Sequence, residues 1–327
     1  MNVRKTEQKT SAYSKVLSKG KKSYIGEVGR NIIEHWQLYL LITPTLIFFI
    51  VFNYLPMYGV QLAFKEFIHI KGIMGSPWVG LRNFERFFSG YNAWALIKNT
   101  LGISFYQILA GFPIPIIFAL MLNEVLNKHY KKLVQLVSYA PHFISIVVVV
   151  GMLDIFFSQS NGFVNIILTK VFGLEKGIPF LVSNSWFKTM YVFSGVWQNA
   201  GYSAIIYIAA LSGVDPQLVD SAIVDGASKI RRIWHIQIPT ILPTAVILLI
   251  LESGNIMKVG FEKVLLMQNP LNMQSSDIIS TYVYRMGLLG SDFSFATAVD
   301  LFNSVVSCIL LVFVNNFAKR VSSNSLW

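Results

Sequence analysis

The sequence predicts an all-α integral membrane protein with six spanning helices. Three observations carry this: a low charge content, six long apolar runs, and the placement of basic residues in the segments between them. Only 13% of the 327 residues are charged while 54% are hydrophobic, and the mean hydropathy is +0.55. Soluble domains are about 25% charged, so this chain buries its apolar surface in lipid. The net charge of +11 would suit a nucleic acid, but in a membrane chain Lys and Arg set orientation. The single cysteine, Cys308, lies in an apolar run, which leaves no disulfide framework and no Cys-based zinc site. GxxxxGK[ST], HExxH and GxSxG patterns are absent, so no enzyme motif is available, and any ATPase belongs to another chain.

Residues 1–36 are polar and basic, with Arg4, Lys5, Lys9, Lys15, Lys19, Lys21, Lys22 and Arg30. They are too long and too polar for a signal peptide. They read as a cytoplasmic tail ending in a surface helix over 24–36 on anionic lipid, with plain disorder as the alternative for the first twenty. The transmembrane domain, 37–327, contains apolar runs at about 37–62, 99–122, 136–156, 187–211, 241–259 and 295–317. Each is long enough for ~30 Å of hydrocarbon. Pro44, Pro113 and Pro115 interrupt the first two, which neighbouring helices or water can tolerate. With the N-terminus inside, the inner segments hold the tail cations and Lys128, Lys131, Lys132, Lys229, Arg231, Arg232, Lys319 and Arg320. The positive-inside bias therefore places both termini in the cytoplasm of a multi-pass cell-membrane protein.

Between the fourth and fifth runs lies a polar segment, 212–240. Asp215 is suited to cap a helix with Pro216 at its first position. Leu218, Val219, Ala222 and Ile223 share one face, and Asp225-Gly226 ends the helix because Gly accepts positive φ. A second amphipathic piece sets Ile230, Ile233 and Trp234 against Lys229, Arg231 and Arg232, and is expected to close at Pro239 and Pro243, where the next membrane run begins. A short helix, a turn and a basic helix at a membrane face form a docking surface for a soluble partner.

Asp220-Ser221-Ala222, Asp225-Gly226-Ala227 and Ile236-Gln237-Ile238-Pro239, with nine residues from Ala227 to His235 between glycine and isoleucine, resemble the EAA loop of ABC-importer permeases. Asp220 stands for Glu, Ser221 for Ala and Ile238 for Leu. The segments 75–84 and 260–287 are similar to the carbohydrate-uptake branch, especially oligosaccharide permeases related to the alginate importer, and the resemblance extends to the closing Leu326-Trp327. It implies a type I importer permease fold, with coupling to the ATPase through Asp220, Ser221, Ala222, Asp225, Gly226, Ala227, Ile236 and Pro239. It also implies a second homologous permease, two cytosolic ATPase subunits carrying ATP and Mg, and an extracytoplasmic solute-binding protein. This chain itself would bind no cofactor or metal.

Polar groups at membrane depth are costly unless they face a cavity or a partner. Gln107 on the second run, Trp197, Gln198, Asn199 and Tyr202 on the fourth, Glu252 and Asn255 on the fifth, and Asp300 and Asn303 on the sixth mark a translocation path. Thr100 and Ser104 share the face of Gln107. Glu252 is placed near the midplane, ~16 Å from the start of its run at residue 241. Ser304 and Ser307 read as helix–helix contacts, and His142 as a hydrogen-bonded structural group. Trp78, Phe84, Phe87, Phe88, Tyr91 and Trp94 suit an interfacial aromatic belt. The functional expectation is an ATP-driven oligosaccharide importer subunit working by alternating access. A permease for another solute, such as a glycerophosphodiester, and a non-transporting membrane scaffold are the alternatives.

Overall fold

The computed structural model describes residues 33–321, and within them the chain is helical with a single isolated β-bridge, Lys65 to Trp78. The basic tail, its surface helix up to Ile32 and the closing Leu326-Trp327 lie outside the described residues. Two compact units are distinguished, 1–60 and 61–327. Among the described residues, four helices are long and apolar enough to cross a membrane, or up to six if each of two bent pairs is one span.

The first unit contains α1 (Trp36–Phe49), apolar on every side as a lipid-spanning helix must be. Pro44 sits inside it without ending it. The residue before it, Thr43, turns its hydroxyl back on the Tyr39 carbonyl at 2.6 Å.

In the second unit the α-helices of seven residues or more are α2 (Arg82–Phe88), α3 (Ala93–Gly111), α4 (Pro113–Asn123), α5 (Lys128–Tyr139), α6 (Ile146–Phe157), α7 (Phe163–Lys170), α8 (Asn184–Leu211), α9 (Pro216–Val224), α10 (Lys229–Gly254), α11 (Phe261–Met267) and α12 (Phe293–Val321). The axis is α8, which packs on α3, α4, α5 and α10. Its inward residues contribute to two cores: Phe187, Tyr191 and Val192 meet Ile103 and Val264 near one end, and Ala204, Tyr207 and Leu211 meet Ala119, Ile241 and Ala245 near the other. A third core joins Phe87 and Leu96 to Phe295 and Val299 of α12.

Two expectations about the spans are corrected. The run at 136–156 is not straight: the segments Lys128–Phe143 and Ile146–Phe157 meet at 101°. Pro141 starts a 3₁₀ turn and Ser145 caps a new helix, its hydroxyl accepting from the Val148 N–H, so the backbone changes direction between them. The fifth span starts at Lys229, not Ile241. Nothing after the Ser228 cap stops the helix, because a π-turn over Ile233–Gln237 absorbs the register ahead of Pro239. Pro239 and Pro243 therefore lie inside a membrane helix rather than closing a separate amphipathic one. Glu252 consequently sits in the last turn of α10, roughly 35 Å along it from Lys229, and not halfway.

The aromatics assigned to a belt divide. Phe87 is 3% exposed and packs on Phe302 and Phe295, and Phe84 leans on Phe64 at 5.5 Å, whereas Trp78, Tyr91 and Trp94 face outward. The loop beyond α11 is held by its own polar groups. Asn272 is fully buried and its amide donates to the Leu181 and Met267 carbonyls, while Asp277 accepts from Arg285 at 2.6 Å and Thr281 at 3.0 Å.

Candidate functional site

A cavity of about 960 Å³ opens between α3, α4, α8, the end of α10 and the start of α11. Its wall on α8 is a stripe at helical spacing: Tyr191, Gly195, Gln198, Asn199 and Tyr202. Gln107 and Gly111 face it from α3, and Glu252 and Asn255 from the end of α10.

Several of these side chains are held in place. Gln198 is 7% exposed and its amide donates to the Ile144 carbonyl at 2.8 Å, just before the Ser145 cap. His142 Nδ1 lies 3.0 Å from Asn199 Oδ1, which accepts its proton, and the His142 ring stacks on Tyr202 at 3.9 Å and 4°. The bent third span is thus clipped to α8 along the cavity wall. One face of the Tyr202 ring is taken by His142, Phe143 stands edge-on to it at 6.1 Å, and the residue stays 43% exposed.

Three of the residues assigned to the path lie elsewhere. Trp197 lines a separate, almost wholly apolar pocket of about 540 Å³ with Phe156, Phe180 and Phe193. Asn303 is 3% exposed and donates to the Met257 carbonyl at 3.2 Å, and Asp300 lies exposed on α12 without lining the cavity. Thr100 and Ser104 also serve packing: the Ile279 N–H donates to Thr100, and Ser104 donates to the Ile256 carbonyl.

Lys263 and its neighbour Glu262 are charged cavity residues that the sequence did not single out, and Lys263 is the buried one. It is 5% exposed, its ammonium donates to the Tyr191 carbonyl at 2.9 Å, and Nζ stands 4.9 Å from the centre of the Tyr191 ring. Burial pushes its pKa down from the ordinary lysine value to about 8.

At the far end, α9 leaves α8 at 80°. Asp215 caps it, accepting from the Gln217 N–H at 2.9 Å. It ends in a Schellman motif: the Ala227 N–H reaches the Ala222 carbonyl at 2.8 Å, the Gly226 N–H reaches Ile223 at 3.0 Å, and Gly226 has φ +75°. Asp220, Ser221, Asp225 and Gly226 are exposed, Ala222 and Ala227 half-buried, and Leu218 and Ile223 leave apolar surface uncovered. Ile236 and Pro239 belong to α10 and follow the end of α9 at Val224 by 12 and 15 residues in the chain. A further residue ties the loop to the bundle: Glu124, at the end of α4, accepts from Gln237 at 2.6 Å and lies 3.9 Å from Arg232, whose guanidinium also donates to the Ala227 carbonyl. Local sequence could not reveal this contact, because Glu124 and Gln237 are 113 residues apart.

Residues 111–323 match the family described as the inner membrane component of binding-protein-dependent transport systems. The chain is 41% identical over 297 residues, covering 91% of it and 92% of its relative, to the polygalacturonan/rhamnogalacturonan transport system permease protein YteP of Bacillus subtilis. It superposes with a TM-score of 0.83 and 41% identity, over 90% of this chain and 99% of the other, on a chain of a bacterial ABC transporter involved in import of the acidic polysaccharide alginate. A second structure of an alginate transporter, in complex with an alginate pentasaccharide-bound periplasmic protein, matches at 0.83 and 40%, over 91% and 99%. A cavity with polar side chains on its wall along α8, a capped and exposed loop helix beyond the end of α8, and these likenesses over nearly the whole chain assign this multi-pass membrane protein to the binding-protein-dependent ABC importer permeases, with their type I fold.

Proposed function

We propose that this chain is a transmembrane subunit of an ATP-driven importer that translocates an oligosaccharide delivered by an extracytoplasmic binding protein. The observation that carries the reading is the pairing of α9, an exposed helix with apolar residues uncovered, with a cavity walled by Gln198, Asn199, Tyr202, Glu252 and Asn255. Amides and carboxylates hold sugar hydroxyls, and the exposed part of the Tyr202 ring suits a sugar ring. Hydrolysis of ATP, with its Mg, takes place on two cytosolic ATPase subunits, and a second permease completes the path. Asp220, Ser221, Ala222, Asp225, Gly226 and Ala227 form the contact with the ATPase. Ile236 and Pro239 carry its motion into α10. When the ATPases close, α9 moves, and α10, tied to α4 through Glu124, turns the cavity outward. The likenesses to polygalacturonan and alginate transporters support a saccharide over a glycerophosphodiester.

The deciding experiment is reconstitution of the assembled importer in proteoliposomes with a panel of oligosaccharides and glycerophosphodiesters. Stimulation of ATP hydrolysis by a binding protein loaded with saccharide is the expected result. Stimulation by phosphodiesters alone would replace the substrate class, and the absence of any copurifying ATPase would return the scaffold reading. In the same assay Glu252→Gln, which keeps shape and loses charge, is expected to shift transport rate or sugar preference by about tenfold, the ~1.4 kcal/mol of one charge-assisted hydrogen bond. Unchanged transport of every sugar would remove Glu252 from the path.

Both termini are cytoplasmic in this reading. A cysteine at Ser160 or Gln274, both exposed, is expected to react with impermeant thiol reagents from outside intact cells, and one at Ser228 is not. Labelling of position 228 from outside would invert the topology and put α9 on the wrong side for an ATPase.

A further inference from the structure

Lys263 is enclosed, charged and without an anion. An ammonium has three donors, and among the described residues one is used, on the Tyr191 carbonyl, and no carboxylate lies within ion-pair distance of it. Burying an unpaired charge is costly, and structural buried cations are normally paired. Lys65 is equally enclosed, at 2% exposed, with its ammonium on the Ile73 carbonyl and over Trp78, but it does not line this cavity. Burial alone therefore does not distinguish Lys263; its place on the cavity wall does.

The surroundings keep its head group available. Gly195 faces it across α8, where a Cβ would come within 3.3 Å of Nζ. The Tyr191 ring stabilises the cation through its face. Glu252, Asn255 and Glu262 line the same cavity, neither carboxylate within ion-pair distance of the ammonium, so a ligand spanning it meets one fixed positive group together with acceptors for hydroxyl protons. A uronate residue has that combination: a carboxylate for the ammonium and ring hydroxyls for Glu252 and Asn255. A neutral sugar would leave the ammonium with no anion in contact.

We propose that Lys263 is a specificity-determining residue that binds the carboxylate of a uronate unit in the cavity, so that the cargo is an acidic oligosaccharide. This rests on the reading of the cavity as the path of an oligosaccharide. The interaction is charge-assisted, and it strengthens where water is excluded.

The test uses the assembled importer with its binding protein in proteoliposomes. Galacturonate, guluronate and mannuronate oligomers are compared with the same oligomers after their carboxyl groups are reduced to primary alcohols. Rates are taken per assembled complex, at binding-protein saturation established separately for each form. The native protein is expected to transport at least one acidic form at least tenfold faster than its reduced counterpart. Lys263→Met is expected to cut that ratio at least tenfold, and Lys263→Arg to keep more than half of it. Equal transport of acidic and reduced forms by the native protein, or an unchanged ratio in Lys263→Met, would overturn the proposal while leaving the importer reading intact. Should Lys263→Met not assemble, the native ratio and the Lys263→Arg ratio still decide, and loss of preference in Lys263→Arg would count against it. Failure of every oligosaccharide, acidic or reduced, to stimulate the native complex would overturn both readings.

Discussion

Gly226→Val is expected to leave the complex inserted and assembled while reducing cargo-stimulated ATP hydrolysis and transport by at least tenfold. At φ +75° a β-branched residue is strained by ~1–2 kcal/mol or more. It would relieve that strain by breaking the Schellman pair that ends α9. A Cβ at this position meets nothing within 4 Å, so the penalty is one of backbone conformation and not of space. Gly226→Asn, which adopts left-handed conformations more readily, is therefore expected to keep most of the activity. If valine and asparagine behave alike, the shape of the turn is not what couples the loop to the ATPase.

Gly201 should be the less replaceable of the two glycines in α8. A Cβ there would lie 2.1 Å from the Ser138 carbonyl oxygen and 2.6 Å from its carbon, both backbone atoms of α5. Neither can rotate away, so Gly201→Ala must push the end of α5 off α8, at ~1–3 kcal/mol for an overpacked contact. The same shift would pull on the Gln198–Ile144 hydrogen bond and the His142–Tyr202 stack. The expected outcome is a fall of several degrees in the thermal midpoint of the assembled complex, with transport reduced about tenfold or more. Gly151→Ala, where a Cβ would meet nothing within 4 Å, serves as the control and is expected to be neutral. Equal midpoints for the two variants would show that the α5–α8 contact yields without cost.

The features legible in the sequence share a short range. Asp215, Pro216, Gly226 and Ser228 act on backbone groups two to five residues away, so the start and end of α9 followed from residue types and spacing alone. The apolar runs likewise reported membrane burial, since hydropathy needs no knowledge of neighbours. Even so, their limits shifted where a local signal was misjudged. Pro239 and Pro243 suggested a boundary, but a π-turn carried the helix past them, whereas Pro141 with Ser145 broke a run that composition had shown as continuous.

Membership of the cavity was decided by tertiary structure. Trp197, Gln198 and Asn199 are consecutive, yet rotation of α8 against α6 and α4 turned Trp197 to an apolar pocket and the two amides to the cavity that Glu252 and Lys263 share. Asn303 carried the same polar signal as Gln107 but met the Met257 carbonyl. Lys263 lies 72 residues from the carbonyl that holds it, and Glu124 lies 113 from Gln237, so neither role has a local pattern. The sequence by itself determined the number of apolar runs, their separation by a capped polar loop and the chemistry at that loop. The tertiary structure alone decided which polar side chains share a space, because helix periodicity sets the faces of each helix while packing between distant segments sets which faces meet.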